Sequence, residues 1–358
     1  MAAMALNPAF WAGRRVLLTG HTGFKGGWLA VWLRQLGAEL RGFALPAATT
    51  PSLWQVAQLQ QQVPGDFADI RDASALARAL QDFQPELVLH LAAQPLVRES
   101  YRAPADTYAT NVMGTLNLLE AVRATPSVRG VLVVTTDKCY ENREWPWPYR
   151  EQDALGGFDP YSSSKACVEL LCASYRDSFL RSSGVALGTA RAGNVLGGGD
   201  WSADRLLPDI FRAWQDGQEV TLRYPDATRP WQHVLDPLMG YLQLAQGLLT
   251  DAEQHAAAWN FGPDSAGLAT VGEIVERLAD RWPGEARWSV ASDAQPHEAG
   301  LLALDSSKAR QRLGWAPRWS LDDTLRHTLD WHLAWRAGRD MNIVTREQLA
   351  VHQGGTHE

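Results

Sequence analysis

A tyrosine and a lysine stand four residues apart in the segment Asp159–Lys165, which reads DPYSSSK. On a helix, Tyr161 and Lys165 would share one face. We expect the lysine ammonium to stabilise a phenolate there and to lower the pKa of the tyrosine from about 10 toward neutrality. Such a phenolate could take the proton of a hydroxyl group while hydride leaves the adjacent carbon. The pair alone is a weak motif, so its meaning depends on whether the chain also builds a dinucleotide site.

A hydroxyl and a carboxylate precede this pair in the segment Thr135–Lys138, which reads TTDK. The apolar run Val131–Thr135 predicts a buried strand. Thr136 and Asp137 would follow the carboxyl end of that strand, and open parallel sheets bind their ligands at this edge. Both residues are therefore candidate catalytic residues.

A glycine-rich turn follows the apolar run Val16–Thr19 and precedes an amphipathic helix that Gly37 ends. Gly20 would allow a tight turn, Gly23 would let a pyrophosphate approach the backbone, and Gly26 would let helix and strand pack closely. The N–H groups at the start of the helix would then face the phosphates. This order of strand, turn and helix predicts a dinucleotide-binding site.

The second predicted strand, Glu39–Ala44, lacks the acidic residue that many NAD enzymes carry at its end for the ribose hydroxyls. The choice between NAD and NADP is therefore less settled than usual, with NADP the less favoured cofactor. Asp69 would place a polar edge near the adenine, and Asp72 would cap a helix predicted over residues 73–82.

The continuous apolar run Leu87–Ala93 predicts a strand that is buried on both faces of a sheet. His90 within it is predicted to be a core histidine whose hydrogen bonds are satisfied. The two alanines that end the run are small enough to let a cofactor pass over the sheet. Asn111 interrupts a helix predicted over Thr107–Ala124, and it could hold a water or a backbone carbonyl near the site.

Strands alternating with helices at this spacing predict an α/β protein with a Rossmann-type, doubly wound parallel sheet. Gly20, Ala93 and Asp137 all fall at carboxyl ends of its strands, where ligands bind. A helix predicted over Tyr161–Leu180 brings Lys165 to the same edge. Because the dinucleotide turn and the tyrosine–lysine pair converge, a catalytic role for the pair is the favoured interpretation.

The alternation loosens after Ala186–Ala190, and the region that follows is rich in tryptophan and proline. Arg205, Arg223 and Arg229 lie in this region, and arginines suit bidentate phosphate binding. We expect this part to be a smaller mixed domain that holds a second diphosphate. The predicted domains are residues 14–190 for the dinucleotide, residues 191–337 mainly for the substrate with the chain returning to the sheet, and residues 338–358 as a polar C-terminal tail.

Composition excludes several classes of protein. The 358 residues carry a net charge of -7, which gives no reason to expect nucleic acid or a membrane as a partner. The three cysteines have no zinc spacing and cannot form a disulfide framework, so no metal site is expected. No apolar run approaches a membrane span, and residues 1–13 lack the pattern of a secretory signal. We expect a soluble cytoplasmic protein.

The motifs together resemble those of the extended short-chain dehydrogenase/reductases that modify nucleotide sugars. The motifs that carry this resemblance are Gly20-x-x-Gly23-x-x-Gly26, Asp69-x-Arg71-Asp72, His90-Leu91-Ala92-Ala93 and Tyr161-x-x-x-Lys165. Longer motifs are similar to those of one group within this family, the CDP-glucose 4,6-dehydratases; they are Gly20–Gly26, Thr135–Asn142, Ala192–Val195, Gly197–Trp201, Arg229–Val234 and Trp259–Pro263. The resemblance covers roughly residues 14–335.

The resemblance implies a bound NAD that is used and regenerated in each turnover, CDP-glucose as substrate and a 4-keto-6-deoxy sugar as product. It implies that Tyr161 is the base, Lys165 its activating lysine and Thr136 the hydroxyl that binds the ketone oxygen. Asp137 would protonate the departing hydroxyl. The implied cofactor contacts are Gly20, Thr22, Gly23, Phe24, Lys25, Gly26, Asp69, Ile70, Leu91, Ala92, Ala93, Asn111, Tyr161 and Lys165. The implied substrate contacts are Ser100, Asn194, Arg205, Arg229 and His233.

The resemblance also implies a homodimer or homotetramer formed through the helices predicted over residues 107–124 and 161–180. The related dTDP-glucose and GDP-mannose dehydratases have a glutamate as C5 base directly after the acid, whereas this chain has Lys138. A neutral lysine could serve, and our hypothesis is that Lys138 acts at C5.

Other functions stay open on the sequence alone. The chain could be a dehydratase for another nucleotide sugar or a 4-epimerase, although an epimerase has no need of Asp137. Outside the enzymes, a dinucleotide-sensing regulator could share the fold, since a fold does not fix a function. The presence of both Tyr161 and Lys165 argues against such a regulator.

Overall fold

A seven-stranded parallel sheet forms the centre of the molecule. The computed structural model describes residues 6–264, 267–291 and 300–354. Its strands, in chain order, are β1 (Arg15–Thr19), β2 (Glu39–Ala44), β3 (Gly65–Phe67), β4 (Leu87–His90), β5 (Gly130–Val134), β6 (Ala186–Ala192), β7 (Asn194–Leu196), β8 (Val220–Leu222), β9 (Thr228–His233), β10 (Ala258–Phe261), β11 (Leu268–Thr270) and β12 (Trp288–Val290). The large sheet has the order β10-β6-β5-β4-β1-β2-β3 with every neighbouring pair parallel. The predicted doubly wound parallel sheet is confirmed.

Helices connect these strands and cover the sheet. In chain order they are α1 (Pro8–Trp11), α2 (Phe24–Gln35), α3 (Leu53–Val56), α4 (Ala73–Phe83), α5 (Val97–Arg102), α6 (Pro104–Tyr108), α7 (Gly114–Arg123), α8 (Pro160–Tyr175), α9 (Leu206–Gln215), α10 (Leu235–Thr250), α11 (Ala252–His255), α12 (Val271–Ala279), α13 (Ser307–Leu313), α14 (Leu321–Arg336) and α15 (Met341–His352). Within the described residues, none of them has the length and apolar character needed to span a membrane.

Helices pack on both faces of the large sheet, which explains why its central strands are apolar throughout. On β1, Val16 and Leu18 join the core that α2, α10 and α15 form on one face. Leu17 points the other way and joins the core formed with α4, α7 and α8. This alternation follows the two-residue period of a strand. The carboxyl edge of the sheet is therefore held rigidly between two cores.

Two helices that the sequence predicted as continuous each contain a wider π turn. The first consists of α6, a π turn at Ala109–Met113 and α7. The second is α8, which ends in a π turn at Arg176–Leu180. Asp159 caps α8, because its carboxylate accepts a hydrogen bond from the backbone nitrogen of Ser162 at 2.9 Å. The cap fixes the start of the helix that carries the tyrosine–lysine pair.

A second group of strands lies beyond β6. β9 pairs with β7 in parallel and with β11 antiparallel, and β8 pairs with β12. α9, α12 and α14 pack around these strands and bury Ile210, Ile274 and Leu325 in a separate core. β10 then returns to the large sheet beside β6.

The C-terminal segment differs from the polar tail expected over residues 338–358. α15 lies within it and buries Met341, Val344 and Leu349. The ring of His352 packs against Trp32 of α2, with 5.8 Å between ring centroids. The apolar residues recur at helical spacing, but charged residues between them hide the pattern in the sequence.

Candidate active site

A cavity of about 650 Å³ opens at the carboxyl edge of the large sheet, bounded on its other side by α9, β8 and β9. It therefore lies where a doubly wound sheet is expected to bind ligands. Most of the residues predicted for the site border it; they are Gly20, Thr22, Gly23, Phe24, Lys25, Gly26, Asp69, Ile70, Leu91, Ala92, Ala93, Thr136, Asp137, Lys138, Tyr161, Lys165, Asn194, Arg205 and Arg229.

The glycine turn between β1 and α2 has no room for a side chain at two positions. Gly20 has a φ of +75°, and a Cβ there would lie 2.7 Å from the backbone nitrogen of Ala92. A Cβ on Gly26 would lie 2.0 Å from the carbonyl oxygen of Gly20. Gly23 begins α2 without a side-chain cap, so the first N–H groups of the helix stay open to an anionic ligand. This cradle fits the pyrophosphate of a dinucleotide.

The ends of β2 and β3 border the part of the cavity suited to an adenosine. Leu45 follows β2 where many NAD enzymes carry a carboxylate. The guanidinium of Arg71 donates a hydrogen bond to Asp69 at 2.7 Å, and this bond lowers the pKa of Asp69. Arg71 also pairs with Asp106 at 3.3 Å. Because two carboxylates engage Arg71, this end of the cavity suits NAD better than the extra phosphate of NADP.

His90 is a core histidine, as predicted. Its ring nitrogens form hydrogen bonds with the hydroxyls of Thr19 at 2.7 Å and Thr115 at 3.0 Å. Burial lowers the pKa of His90 to about 3, so the ring is neutral. His90 therefore joins β4 to β1 and α7 and is no ligand.

Asn111 was expected to contact the cofactor, but its side chain does not border the cavity. The π turn places the amide against Gln94, whose backbone nitrogen donates to Oδ1 at 2.8 Å and whose carbonyl accepts from Nδ2 at 3.1 Å. Nδ2 also donates to Ser164 Oγ at 2.9 Å. The hypothesis that Asn111 holds a backbone carbonyl is confirmed, and its effect is to tie the loop after β4 to α8.

Thr136 and Asp137 enter the cavity from a short 3-10 turn that follows β5. Thr136 Oγ1 donates a hydrogen bond to Asp137 Oδ1 at 3.0 Å. Asp137 Oδ2 is buried and has no hydrogen-bond partner in the part of the chain that the structure describes. A Cβ on Gly193 would lie 3.1 Å from this oxygen, so the glycine leaves room beside it. One carboxyl oxygen is thus held dry and available to a bound molecule.

Tyr161 and Lys165 both border the cavity, as their spacing predicted. Lys165 Nζ donates a hydrogen bond to the carbonyl oxygen of Val134 at 3.1 Å. Burial raises the pKa of Tyr161 to about 12, although Thr136 and Arg205 act in the opposite direction. Burial also lowers the pKa of Lys165 to about 8. The predicted fall of the Tyr161 pKa toward neutrality is therefore wrong for the protein without a bound cofactor, because burial outweighs the effects of Thr136 and Arg205.

Arg205, Arg229 and Asn194 border the side of the cavity formed by the second group of strands. Arg205 precedes α9, its Nε is buried without a hydrogen-bond partner among the described residues, and its Nη1 lies 3.7 Å from Asp200. Arg229 is 4% exposed and donates a hydrogen bond to the Thr228 carbonyl at 2.9 Å. Two guanidinium groups on this side suit an anionic group such as a diphosphate.

Ser100 and His233 were expected to contact the substrate, and the structure contradicts both. Ser100 is fully buried, and its hydroxyl donates to the Val97 carbonyl at 2.6 Å within the first turns of α5. His233 is also fully buried, with its ring packed against Trp28 and Trp319. The motif Arg229–Val234 begins at the cavity with Arg229, but β9 then enters the core. His233 therefore contributes to packing in the core.

A buried ion pair beneath the catalytic residues was missed from the sequence. Glu169 lies one turn after Lys165 on α8, and its carboxylate binds Arg191 of β6 at 2.9 Å. It also accepts hydrogen bonds from the hydroxyls of Thr135 and Thr189. The signal was present in the sequence, because Tyr161, Lys165 and Glu169 follow each other at intervals of four.

Comparison with known proteins identifies the family of the chain. The family model described as GDP-mannose 4,6 dehydratase matches residues 17–328. A CDP-glucose 4,6-dehydratase of Salmonella typhimurium is 47% identical over 356 residues, which cover 98% of this chain and 99% of that protein.

Solved structures of related folds are similar to this chain. UDP-glucose 4-epimerase of Thermus thermophilus, in complex with NAD, has a TM-score of 0.77 at 25% identity, covering 88% of this chain and 98% of that chain. A double mutant of a dTDP-glucose 4,6-dehydratase from Streptomyces venezuelae, with NAD bound, has a TM-score of 0.78 at 23% identity, covering 92% of this chain and 99% of that chain. These structures share the fold of this chain. The match of the family model over residues 17–328 and the 47% identity to the Salmonella typhimurium protein show that the chain belongs to the GDP-mannose 4,6 dehydratase family of extended short-chain dehydrogenase/reductases.

Proposed function

We propose that this protein is an NAD-dependent CDP-glucose 4,6-dehydratase, which converts CDP-D-glucose to CDP-4-keto-6-deoxy-D-glucose and water. The observation that carries the proposal is the buried carboxyl of Asp137, whose Oδ2 has no partner among the described residues and which lies beside Thr136. Removal of a hydroxyl group needs such an acid, and a simple epimerisation does not. The choice of cytidine as the nucleoside is supported by the 47% identity to the Salmonella typhimurium enzyme.

NAD, when bound, supplies the hydride acceptor for C4 of the sugar and later returns the hydride at C6. The protein's part in the first step is to move one proton. Tyr161 accepts the proton of the C4 hydroxyl, and Thr136 donates a hydrogen bond to the oxygen as it becomes a ketone. Because burial raises the pKa of Tyr161 to about 12, the phenolate needs a positive charge nearby; protonated Lys165 supplies one, and a bound nicotinamide would add a second.

Elimination of water follows from the acidity that the C4 ketone gives to the C5 hydrogen. The bond from C6 to its hydroxyl breaks as the C5 proton leaves, and a double bond forms between C5 and C6. Asp137 donates a proton to the departing hydroxyl, so the products of this step are water and an enone. The carboxyl group is 1% exposed, so bulk water does not compete for this proton transfer.

Lys138 takes the C5 proton in this account. It follows Asp137 directly and borders the same cavity, whereas related dehydratases have a glutamate at that position. A lysine must be neutral to act as a base, so this step requires the unprotonated form of Lys138. Lys138 is therefore the residue of this chain that is best placed for proton transfer at C5.

Arg205, Arg229 and Asn194 hold the diphosphate of the nucleotide sugar. The unpartnered Nε of Arg205 supports this role, since a buried guanidinium nitrogen gains most from a charged acceptor.

The enzyme acts in the cytoplasm as a homodimer or homotetramer. Its product is an intermediate for the biosynthesis of deoxysugars, such as those that are built into O-antigen lipopolysaccharide.

The proposed function is tested by product masses from parallel reactions. Purified protein with NAD is incubated separately with CDP-glucose, dTDP-glucose, UDP-glucose and GDP-mannose. We expect the loss of one water from CDP-glucose at the highest rate. Loss of water from another nucleotide sugar in preference would keep the chemistry and overturn the substrate, whereas an isomer of unchanged mass would make the protein a 4-epimerase.

A further inference from the structure

Lys25 connects the glycine turn to the catalytic residues. It lies in the first turn of α2, two residues after Gly23, and its side chain borders the cavity. It has no hydrogen-bond or ion-pair partner among the described residues. Its ammonium nevertheless interacts electrostatically with groups from three other parts of the chain. A lysine that starts in the cofactor turn therefore reaches the charges that surround the substrate.

The groups around Lys25 are mostly cations. Arg205 precedes α9 on the substrate side, Lys165 comes from α8, and Lys138 follows β5; each disfavours a further positive charge. Asp137 is the acidic group that acts in the opposite direction. Burial lowers the pKa of Lys25 to about 7, and Arg205 adds to the effect. Three cations around one lysine and a single carboxylate leave an excess of positive charge that anionic ligands would neutralise.

We propose that Lys25 is a phosphate-binding residue shared by the two ligands, contacting the pyrophosphate of the dinucleotide and the diphosphate of the nucleotide sugar. The position of Lys25 in the glycine turn supports the first contact. The second is supported by the cavity, which Lys25 and Arg205 of the substrate side both border. The inference rests on the proposed function only in assigning the second phosphate group to a nucleoside diphosphate.

A shared lysine makes the two binding events favour each other. At pH 8 most Lys25 side chains are neutral, because this pH lies above a pKa of about 7. The first anionic ligand must draw a proton onto the lysine, at the cost of roughly tenfold in affinity for one pH unit. The second ligand then finds the ammonium already formed and does not meet this cost again. The coupling should therefore be strong at pH 8 and weak at pH 6, where Lys25 is protonated from the start.

Isothermal titration calorimetry of the full chain tests the proposal. NAD is titrated first and CDP second, and the reverse order is also run, in two buffers with different ionisation enthalpies at pH 6 and pH 8. We expect the two ligands together to take up more protons at pH 8 than at pH 6, because a group with a pKa of about 7 is mostly neutral at pH 8 and mostly charged at pH 6. We also expect NAD to tighten CDP binding up to about tenfold more at pH 8 than at pH 6.

Two variants of Lys25 separate the effect of its positive charge on ligand affinity from the uptake of a proton on binding. In Lys25→Met, NAD and CDP should each bind roughly tenfold or more weakly, because each loses a charge-assisted hydrogen bond. Lys25→Arg keeps a positive charge at both pH values, so it should restore affinity while the proton uptake and its pH dependence disappear. Urea unfolding of each variant checks that the fold is intact.

The proposal fails if Lys25→Met weakens NAD but leaves CDP affinity unchanged, since Lys25 would then serve the cofactor alone. UDP is titrated in parallel, so that the role of Lys25 is tested separately from the choice of cytidine as the nucleoside. Tighter binding of UDP than of CDP, with the same dependence on Lys25, would overturn the proposed nucleotide and keep the shared lysine.

Discussion

The carboxylate of Glu169 and the guanidinium of Arg191 lie 2.9 Å apart, with 3% of each side chain exposed. Burial alone would raise the pKa of Glu169, but Arg191 holds it below its usual range. Glu169 also accepts a hydrogen bond from Thr135, the residue before Thr136. Because Glu169 and Lys165 share α8, this pair fixes the lysine and the end of β5 relative to each other.

Breaking this pair should cost more than breaking a surface pair. We expect Glu169→Gln to reduce the free energy of unfolding by about 3 kcal/mol or more, because a buried guanidinium would lose its counter-charge. The matched control is Asp177→Asn, which removes an exposed pair with Arg181 and should cost less than about 1 kcal/mol. Urea unfolding followed by circular dichroism measures both. Equal costs for the two variants would show that the buried pair does not hold the catalytic edge together.

Two glycines of the same turn should respond differently to alanine. In Gly26→Ala the new Cβ would lie 2.0 Å from the Gly20 carbonyl oxygen, so both stability and NAD affinity should fall. In Gly23→Ala the nearest atom is 3.4 Å away, so the fold should tolerate the methyl group. The methyl would still obstruct a pyrophosphate, and NAD affinity should fall without a loss of stability. Thermal unfolding and NAD titration of both variants make the comparison, and unchanged NAD affinity in both would remove the turn from the cofactor site.

Asp137→Asn should separate oxidation at C4 from loss of water. The amide cannot donate a proton as an acid does, so we expect the overall rate to fall by about 10²- to 10⁴-fold. Oxidation at C4 depends on Tyr161 and Thr136, so reduced cofactor should accumulate and be visible by its near-ultraviolet absorbance. Dehydration at the wild-type rate would exclude Asp137 as the acid.

Lys138→Met should block the step at C5. The thioether has nearly the length of the lysine side chain but cannot accept a proton. We expect exchange of the C5 hydrogen with heavy water to stall while reduction of NAD stays detectable. Nuclear magnetic resonance of the sugar follows the exchange, and normal exchange would discard Lys138 as the C5 base.

His90 should make the fold sensitive to acid. Its pKa is about 3 in the folded protein, below the usual 6.5, so the unfolded chain binds more protons between these values. The stabilisation is therefore complete above pH 6.5 and is lost as the pH falls toward 3. From pH 6.5 to pH 4.5 His90 should cost about 2 kcal/mol. Urea unfolding at several pH values should show a shallower slope for His90→Asn than for wild type, whatever the absolute stability of the variant; equal slopes would contradict this role.

Local patterns were sufficient to predict the sheet and most of the cavity. Gly20, Gly26 and Asp137 could be placed at one edge because parallel strands bring their carboxyl ends together. The same reasoning failed for His233, since a motif read along one strand does not tell where the strand enters the core.

The features that could not be predicted from the sequence depend on tertiary packing between distant parts of the chain. The hydrogen bond between Tyr140 and Asn260 joins residues 120 positions apart and belongs to the network around Arg191. Likewise, the spacing of Tyr161 and Lys165 predicted a lowered tyrosine pKa, but the depth of burial reverses the sign. The burial of Tyr161 depends on elements that are distant in the sequence, and a local motif does not predict their positions.

In the proposed reaction, the hydrogen that leaves C4 returns at C6 within one active site. The most direct test uses CDP-glucose that carries deuterium at C4, with NAD and the wild-type protein in ordinary water. We expect a product that is lighter by one water and that carries deuterium in its C6 methyl group. A product of unchanged formula with the deuterium still at C4 would contradict it and identify the protein as an epimerase.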